Sequence, residues 1–151
     1  VDFGISNLFH PHEHSDKTFT PIWEDQIGVV CPTDHPLADK ESLHWKELRQ
    51  HRLISKGTSR LLEDSEASPL LGDSQFYISN MISLIAMLEA GIGITTLPWY
   101  AFPQESTKLR FIPLESPNVT RHIGIVQLNN KSLTPPAKAL IDFILANSGD
   151  R

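Results

Sequence analysis

The chain has 151 residues and a single cysteine, Cys31, so it can form no internal disulfide. A lone thiol fits a reducing compartment, and it leaves no second cysteine to resolve an oxidised first one. Long apolar runs are missing as well: none approaches the roughly 20 residues of a bilayer-crossing helix, and no secretory leader pattern opens the chain. The expectation is a soluble, cytoplasmic protein with no membrane contact. Basic charge is scarce too, with 13 Lys and Arg against 18 Asp and Glu, a net charge of -5 and a pI near 5.7. The basic residues are scattered singly, whereas a nucleic-acid surface needs a concentrated basic footprint. What the chain does have is apolar content: 40% hydrophobic residues, enough for one ordinary core or two small lobes.

The most informative stretch is Ser79 to Pro98, SNMISLIAMLEAGIGITTLP. Met81, Leu84, Ile85 and Leu88 follow the i, i+3, i+4, i+7 helical spacing, and either Ser79 or Asn80 can act as N-cap. Gly91 stops the helix. Ile92 to Leu97 then suits a short strand buried on both faces, and Pro98 closes it by withholding an amide donor. A helix delivered into a central strand is half of a parallel crossover. No Asp or Glu occupies the helix's first turn, so its free amides are open to an anion.

Elsewhere, β-type patterns are expected at Val1 to Ile5, Phe19 to Cys31 (one long bent strand or two short ones), Arg52 to Ser55, Gln75 to Ile78, Leu109 to Leu114 and Arg121 to Leu128. Ser42 is expected to cap a short helix through Leu48, with Glu47 too late for a strict capping box. A weak helical stretch lies near Leu61 to Glu66, and Pro69 to Asp73 reads as a break. Thr134 as N-cap, Pro135 at the first helical position, and Ala137, Leu140, Ile141 and Ile144 as the apolar stripe predict a closing helix to Asn147. Strands alternating with helices predict a mainly parallel α/β sheet.

Two motifs, Asp34-His35-Pro36-Leu37-Ala38 after a β segment and Leu88-Glu89-Ala90-Gly91-Ile92-Gly93-Ile94 ending in Leu97-Pro98, resemble the effector-binding domain of LysR-type transcriptional regulators. Val1 to Ile5, Leu43-His44-Trp45-Lys46-Glu47-Leu48, and the Leu133-Thr134-Pro135-Pro136-Ala137 helix ending in Asp142-Phe143-Ile144 extend the resemblance over nearly the whole chain in the family's order. It implies a type II periplasmic-binding-protein-like fold, with two α/β lobes around a small-molecule cleft. Residues 32–98 would form the second lobe, and residues 1–31 with 99–151 a partial first lobe plus the hinge crossings. The family's opening strands and winged helix-turn-helix have no counterpart in these residues, so the chain reads as N-terminally truncated, with apolar faces uncovered. DNA binding would lie in that missing part. The resemblance further implies a small, anionic effector, a homodimer or tetramer formed through this domain, no cofactor and no catalysis.

The cleft is expected where strands end and helices begin. Ser6 and Asn7 follow the first strand, Thr58 the Arg52 strand, and Tyr77 and Ser79 stand beside the helix; these five are the expected effector-binding residues. Each also has a purely local reading, Ser79 as a cap and Thr58 as a turn residue. His10, His12 and His14 alternate along one face of an extended segment, but with Pro11 between them and no nearby Cys they read as a solvated loop rather than a metal site. Lys56-Gly57-Thr58-Ser59 lacks the spacing of a phosphate loop. Cys31 reads as a buried small apolar side chain. Two other classes share this fold: a solute-binding receptor of a transport system, and, less favoured, a metal-using enzyme built on the histidine loop. A helix-turn-helix encoded before Val1 would separate the regulator from the receptor, and turnover lost on replacing the three histidines would mark the enzyme.

Overall fold

The computed structural model describes residues 2–7, 16–55 and 61–148. Its elements, in chain order, are β1 (Phe3–Asn7), β2 (Lys17–Pro32), β3 (Leu43–His44), α1 (Trp45–Leu48), β4 (Ile54–Ser55), α2 (Pro69–Gly72), β5 (Phe76–Tyr77), α3 (Met81–Glu89), β6 (Thr95–Pro98), β7 (Leu109–Ser116), β8 (Thr120–Leu128) and α4 (Pro135–Asn147), with a 3-10 turn at Trp99–Ala101. They fall into two compact units, Val1–Asp25 with Arg121–Arg151, and Gln26–Thr120. The chain passes from one unit to the other twice, inside β2 and at the start of β8. The second unit extends beyond 32–98 at both ends because the trailing half of β2 pairs with both β6 and β7.

In that second unit, β2 separates two apolar clusters through the strand's period of two. Ile27, Val29 and Cys31 join Leu43, Trp45, Leu48, Leu53, Ile94, Ile112 and Leu114 on one side. Val30 joins Ile54, Leu84, Leu88, Leu97, Phe102 and Leu109 on the other. The central strands are therefore covered on both faces, and each fully buried Leu or Ile contributes about 1.5–3 kcal/mol. The first unit is smaller. There β1 pairs antiparallel with β8 from Phe3↔Gln127 to Asn7↔Ile123, β8 also pairs with β2, and Ile125, Ala137 and Ile141 are its buried apolar side chains.

Pairing direction corrects one expectation. β1–β8, β2–β6 and β2–β7 are antiparallel, whereas the short β3–β7 and β4–β5 contacts and the Leu53↔Ile94 bridge are parallel. β6 and β7, both inside the second unit, run back along the trailing half of β2, and a parallel neighbour would have needed a crossover connection between each pair. Three local readings change too. The short helix is α1, capped by His44 rather than Ser42: the His44 Nδ1 accepts from the Lys46 amide at 3.2 Å, and the His44 amide donates to Glu47 Oε2 at 2.9 Å. With the cap moved, Glu47 falls on the third helical position and completes a capping box. Pro69 opens the single-turn helix α2 instead of marking a break, as a first-turn proline can. In α4, Leu140 is 50% exposed, so the buried stripe is Ala137 and Ile141.

Candidate functional site

The candidate site is built at the start of α3. β4 and β5 pair in parallel, Ile54 with Phe76 and Ser55 with Tyr77, and the Ile78 amide donates to the Ser55 carbonyl at 2.9 Å. Both strands therefore end at one edge, and β5 passes through Ile78 and Ser79 directly into α3. On the other side of β4, Leu53 bridges Ile94 in parallel, the Thr95 hydroxyl donates to the Ile54 carbonyl at 2.7 Å, and Gly93 lets the backbones meet. A Cβ on Gly93 would lie 2.5 Å from the Arg52 carbonyl oxygen. β5, α3 and β6 thus form the parallel crossover expected of Ser79 to Pro98, with β4 in the middle. In such units ligands collect at the carboxyl ends of the strands.

Helix α3 is held by its buried face, Leu84 and Leu88, and stopped at Gly91, whose φ of 69° suits a residue without a side chain. Its N-cap is Asn80, whose side-chain oxygen accepts from the Ser83 amide at 3.0 Å. Of the two cap candidates, Ser79 is thus the residue before the cap. No acidic residue lies in the first turn, so nothing there neutralises the positive end of the helix dipole. Tyr77 (68% exposed), Ser79, Asn80 and Ser83 all present themselves to solvent around this end. This edge can bind a carboxylate or phosphate through backbone amides and hydroxyls; it offers no nucleophile–base pair.

The structure brings Tyr77 and Ser79 together before α3. Ser6 and Asn7 lie in the other unit at the end of β1, opposite Gly124 and Ile123 in register. Thr58 lies outside the described residues, as do His10, His12 and His14. Among the described residues no group of three or more His, Cys, Asp and Glu is placed to hold a metal ion. Cys31 is fully buried, and burial pushes its thiol up to about 11, with Arg110 opposing and Asp34 reinforcing that effect. Such a thiol stays protonated near neutral pH and is a poor nucleophile.

Sequence reasoning missed Asp25, which it placed only within the β segment Phe19 to Cys31. Its side chain is fully buried, and one carboxylate oxygen accepts from Arg121 Nε at 2.9 Å and Nη2 at 2.8 Å. Its phase was the available signal: Asp25 alternates with Ile27, Val29 and Cys31 on the face that the strand buries, which forces a partner on the charge.

The family model described as LysR substrate binding domain matches residues 1–149. The uncharacterised HTH-type transcriptional regulator YbhD of Escherichia coli K12 is 30% identical over 150 residues, 95% of this chain and 47% of that protein. The transcriptional dual regulator GltC of Bacillus subtilis 168 is 25% identical over 144 residues, 89% of this chain and 47% of that protein. The chain thus spans about half the length of the curated relatives it matches. Among solved structures, the Synechocystis PCC6803 CcmR regulatory domain in complex with 2-PG superposes with a TM-score of 0.80 at 19% identity, covering 99% of this chain and 74% of that one. The effector binding domain of QuiR in complex with shikimate gives 0.77 at 21%, covering 97% and 71%. Their fold, the type II periplasmic-binding-protein-like fold, is the fold of this chain. No described helix is long and apolar enough to cross a membrane.

Proposed function

Because the chain belongs to the LysR substrate-binding domain family, we propose that it is the ligand-sensing domain of a LysR-type transcriptional regulator, taking a small anionic effector between two lobes. The observation that carries this reading is the family match over residues 1–149. The helix-turn-helix named for relatives such as YbhD favours a regulator over a transport receptor. The two lobes are the two compact units, joined through β2 and the start of β8. On this reading α3's amides with Tyr77 and Ser79 form one wall of the effector site, and Ser6 and Asn7 contribute from the other lobe. The uncompensated N-terminus of α3 supports an anionic ligand. Signalling needs no catalysis: an effector with unequal affinity for two lobe arrangements shifts their populations. DNA contact belongs to a part of the regulator outside these residues, the working species is a homodimer or tetramer, and the location is cytoplasmic.

A thermal-shift screen of carboxylates and phosphates on the full-length protein tests the reading, since a ligand that binds the folded state raises its melting temperature. Once a ligand is found, Ser79→Ala is expected to weaken it by about ten-fold in calorimetry, the scale of one hydrogen bond to a charged group. Unchanged affinity would remove Ser79 from the site.

A further inference from the structure

The strands that join the two units carry a buried ion pair at the point where they cross. Asp25 is the last residue of the first unit on β2, and Arg121 is the first residue of that unit on the returning β8. The carboxylate is fully buried and the guanidinium side chain 17% exposed, with Nε and Nη2 both donating to one carboxylate oxygen. One step further along, the Ile27 amide donates to the Val119 carbonyl at 2.9 Å, and Gln26 Nε2 donates to Asn118 Oδ1 at 3.4 Å. The two connecting segments are therefore fastened on both sides of the boundary, and the Asp25–Arg121 fastening is a charged one.

We propose that the Asp25–Arg121 pair is a clasp on the hinge: it holds the two connecting strands together and so restricts bending of one unit against the other. Burying two charges has a desolvation cost that their attraction only partly offsets, so a well-packed apolar pair would serve stability as well. What the ion pair adds is directional geometry. The β2–β8 pairing already sets the spacing of the strands, and the guanidinium, donating twice to one buried carboxylate oxygen, adds a charge-assisted side-chain bond across it that two aliphatic side chains do not. Asp25 and Arg121 are positioning residues and touch no ligand. Their use in signalling rests on the sensing role proposed above, but the clasp itself is measurable without any ligand.

The test places spin labels on Glu105→Cys in one unit and Asp142→Cys in the other, both exposed positions, in the full-length protein diluted with unlabelled copies. Pulsed dipolar spectroscopy reads the distance distribution between them. Arg121→Lys, which keeps the charge and loses the fork, and the double variant Asp25→Leu/Arg121→Met, which leaves no buried charge unpaired, are both expected to widen the distribution. The Ile27 amide should also exchange with solvent about ten-fold faster or more. Leu88→Ala, a core change away from the hinge, should lower the melting temperature and leave the width unchanged. An unchanged distribution in the folded double variant would overturn the proposal, as would equal widening in Leu88→Ala. If no ligand is ever found, the sensing role fails and the clasp result stands; if the width does not change, the clasp fails and the sensing role stands.

Discussion

The two units solve the problem of burying apolar surface differently. In the second, strands are covered on both sides, and Leu48, Ile54, Leu84, Leu88, Ile94, Leu97 and Leu114 are wholly inaccessible. In the first, α4 keeps only Ala137 and Ile141 buried while Leu140, Phe143 and Leu145 are 50%, 66% and 39% exposed, and Ile5 and Leu128 on β1 and β8 are also open. The second unit therefore carries its stability internally, whereas the first leaves one helix and one sheet surface available for cover. The second unit exposes large apolar side chains of its own, Phe76, Tyr77, Ile82, Trp99 and Tyr100, so the contrast lies in how much each unit buries rather than in how much it exposes.

The contrast breaks most readily through side-chain truncation. Leu88→Ala should cost about 2–5 kcal/mol in denaturant unfolding, the range for emptying a fully buried leucine site. Phe143→Ala should cost less than about 0.5 kcal/mol, as for surface substitutions. A large loss at Phe143 would mean that the face of α4 is covered in solution.

A smaller effect separates the two main helices at their starts. Asn80 makes the cap bond of α3, so Asn80→Ala should cost about 0.5–2 kcal/mol. In α4 the Thr134 side chain makes no cap bond and donates instead to Asp2 Oδ2 at 2.7 Å. Thr134→Ala should therefore be the milder change in the same unfolding measurement, and equal losses would erase the distinction.

The smallest expected effect is a pH slope in the second unit. His35 Nδ1 accepts from the Leu37 amide at 3.2 Å, its ring meets His51 edge-on at 4.7 Å, and burial, then the neighbouring His51, hold its pKa below the ordinary 6.5. The folded state thus prefers the neutral ring. Its contribution is complete above pH 6.5 and is lost as pH falls below that value through the folded pKa. Unfolding midpoints between pH 7.5 and 5 should fall less steeply in His35→Asn, which keeps an acceptor and does not titrate; an unchanged slope would assign it to other groups.

How far the fold was legible varied with how local its cause is. The α3 segment was readable because cap, apolar spacing and glycine stop lie within a dozen residues of one another. The start of α1 differs from expectation because a histidine acts as its cap, and histidine is a rarer N-cap than the serine two residues before it. At the candidate site, Tyr77 and Ser79 could be placed beside α3 from the crossover pattern alone. Asp25 could not be matched to Arg121, since 96 residues separate them.

The sequence by itself determined the two long helices α3 and α4, the glycine stop of α3, the main strand segments and the family, because each follows from residues close in the chain or from motifs in a fixed order. Only the tertiary structure decided that the long strands pair antiparallel, that α4 buries Ala137 and Ile141 but not Leu140, and that Asp25 meets Arg121 where the chain crosses between units. Those outcomes depend on which distant segments compete for the same surface, and hydrophobic burial, being non-directional, leaves that choice to the packed whole.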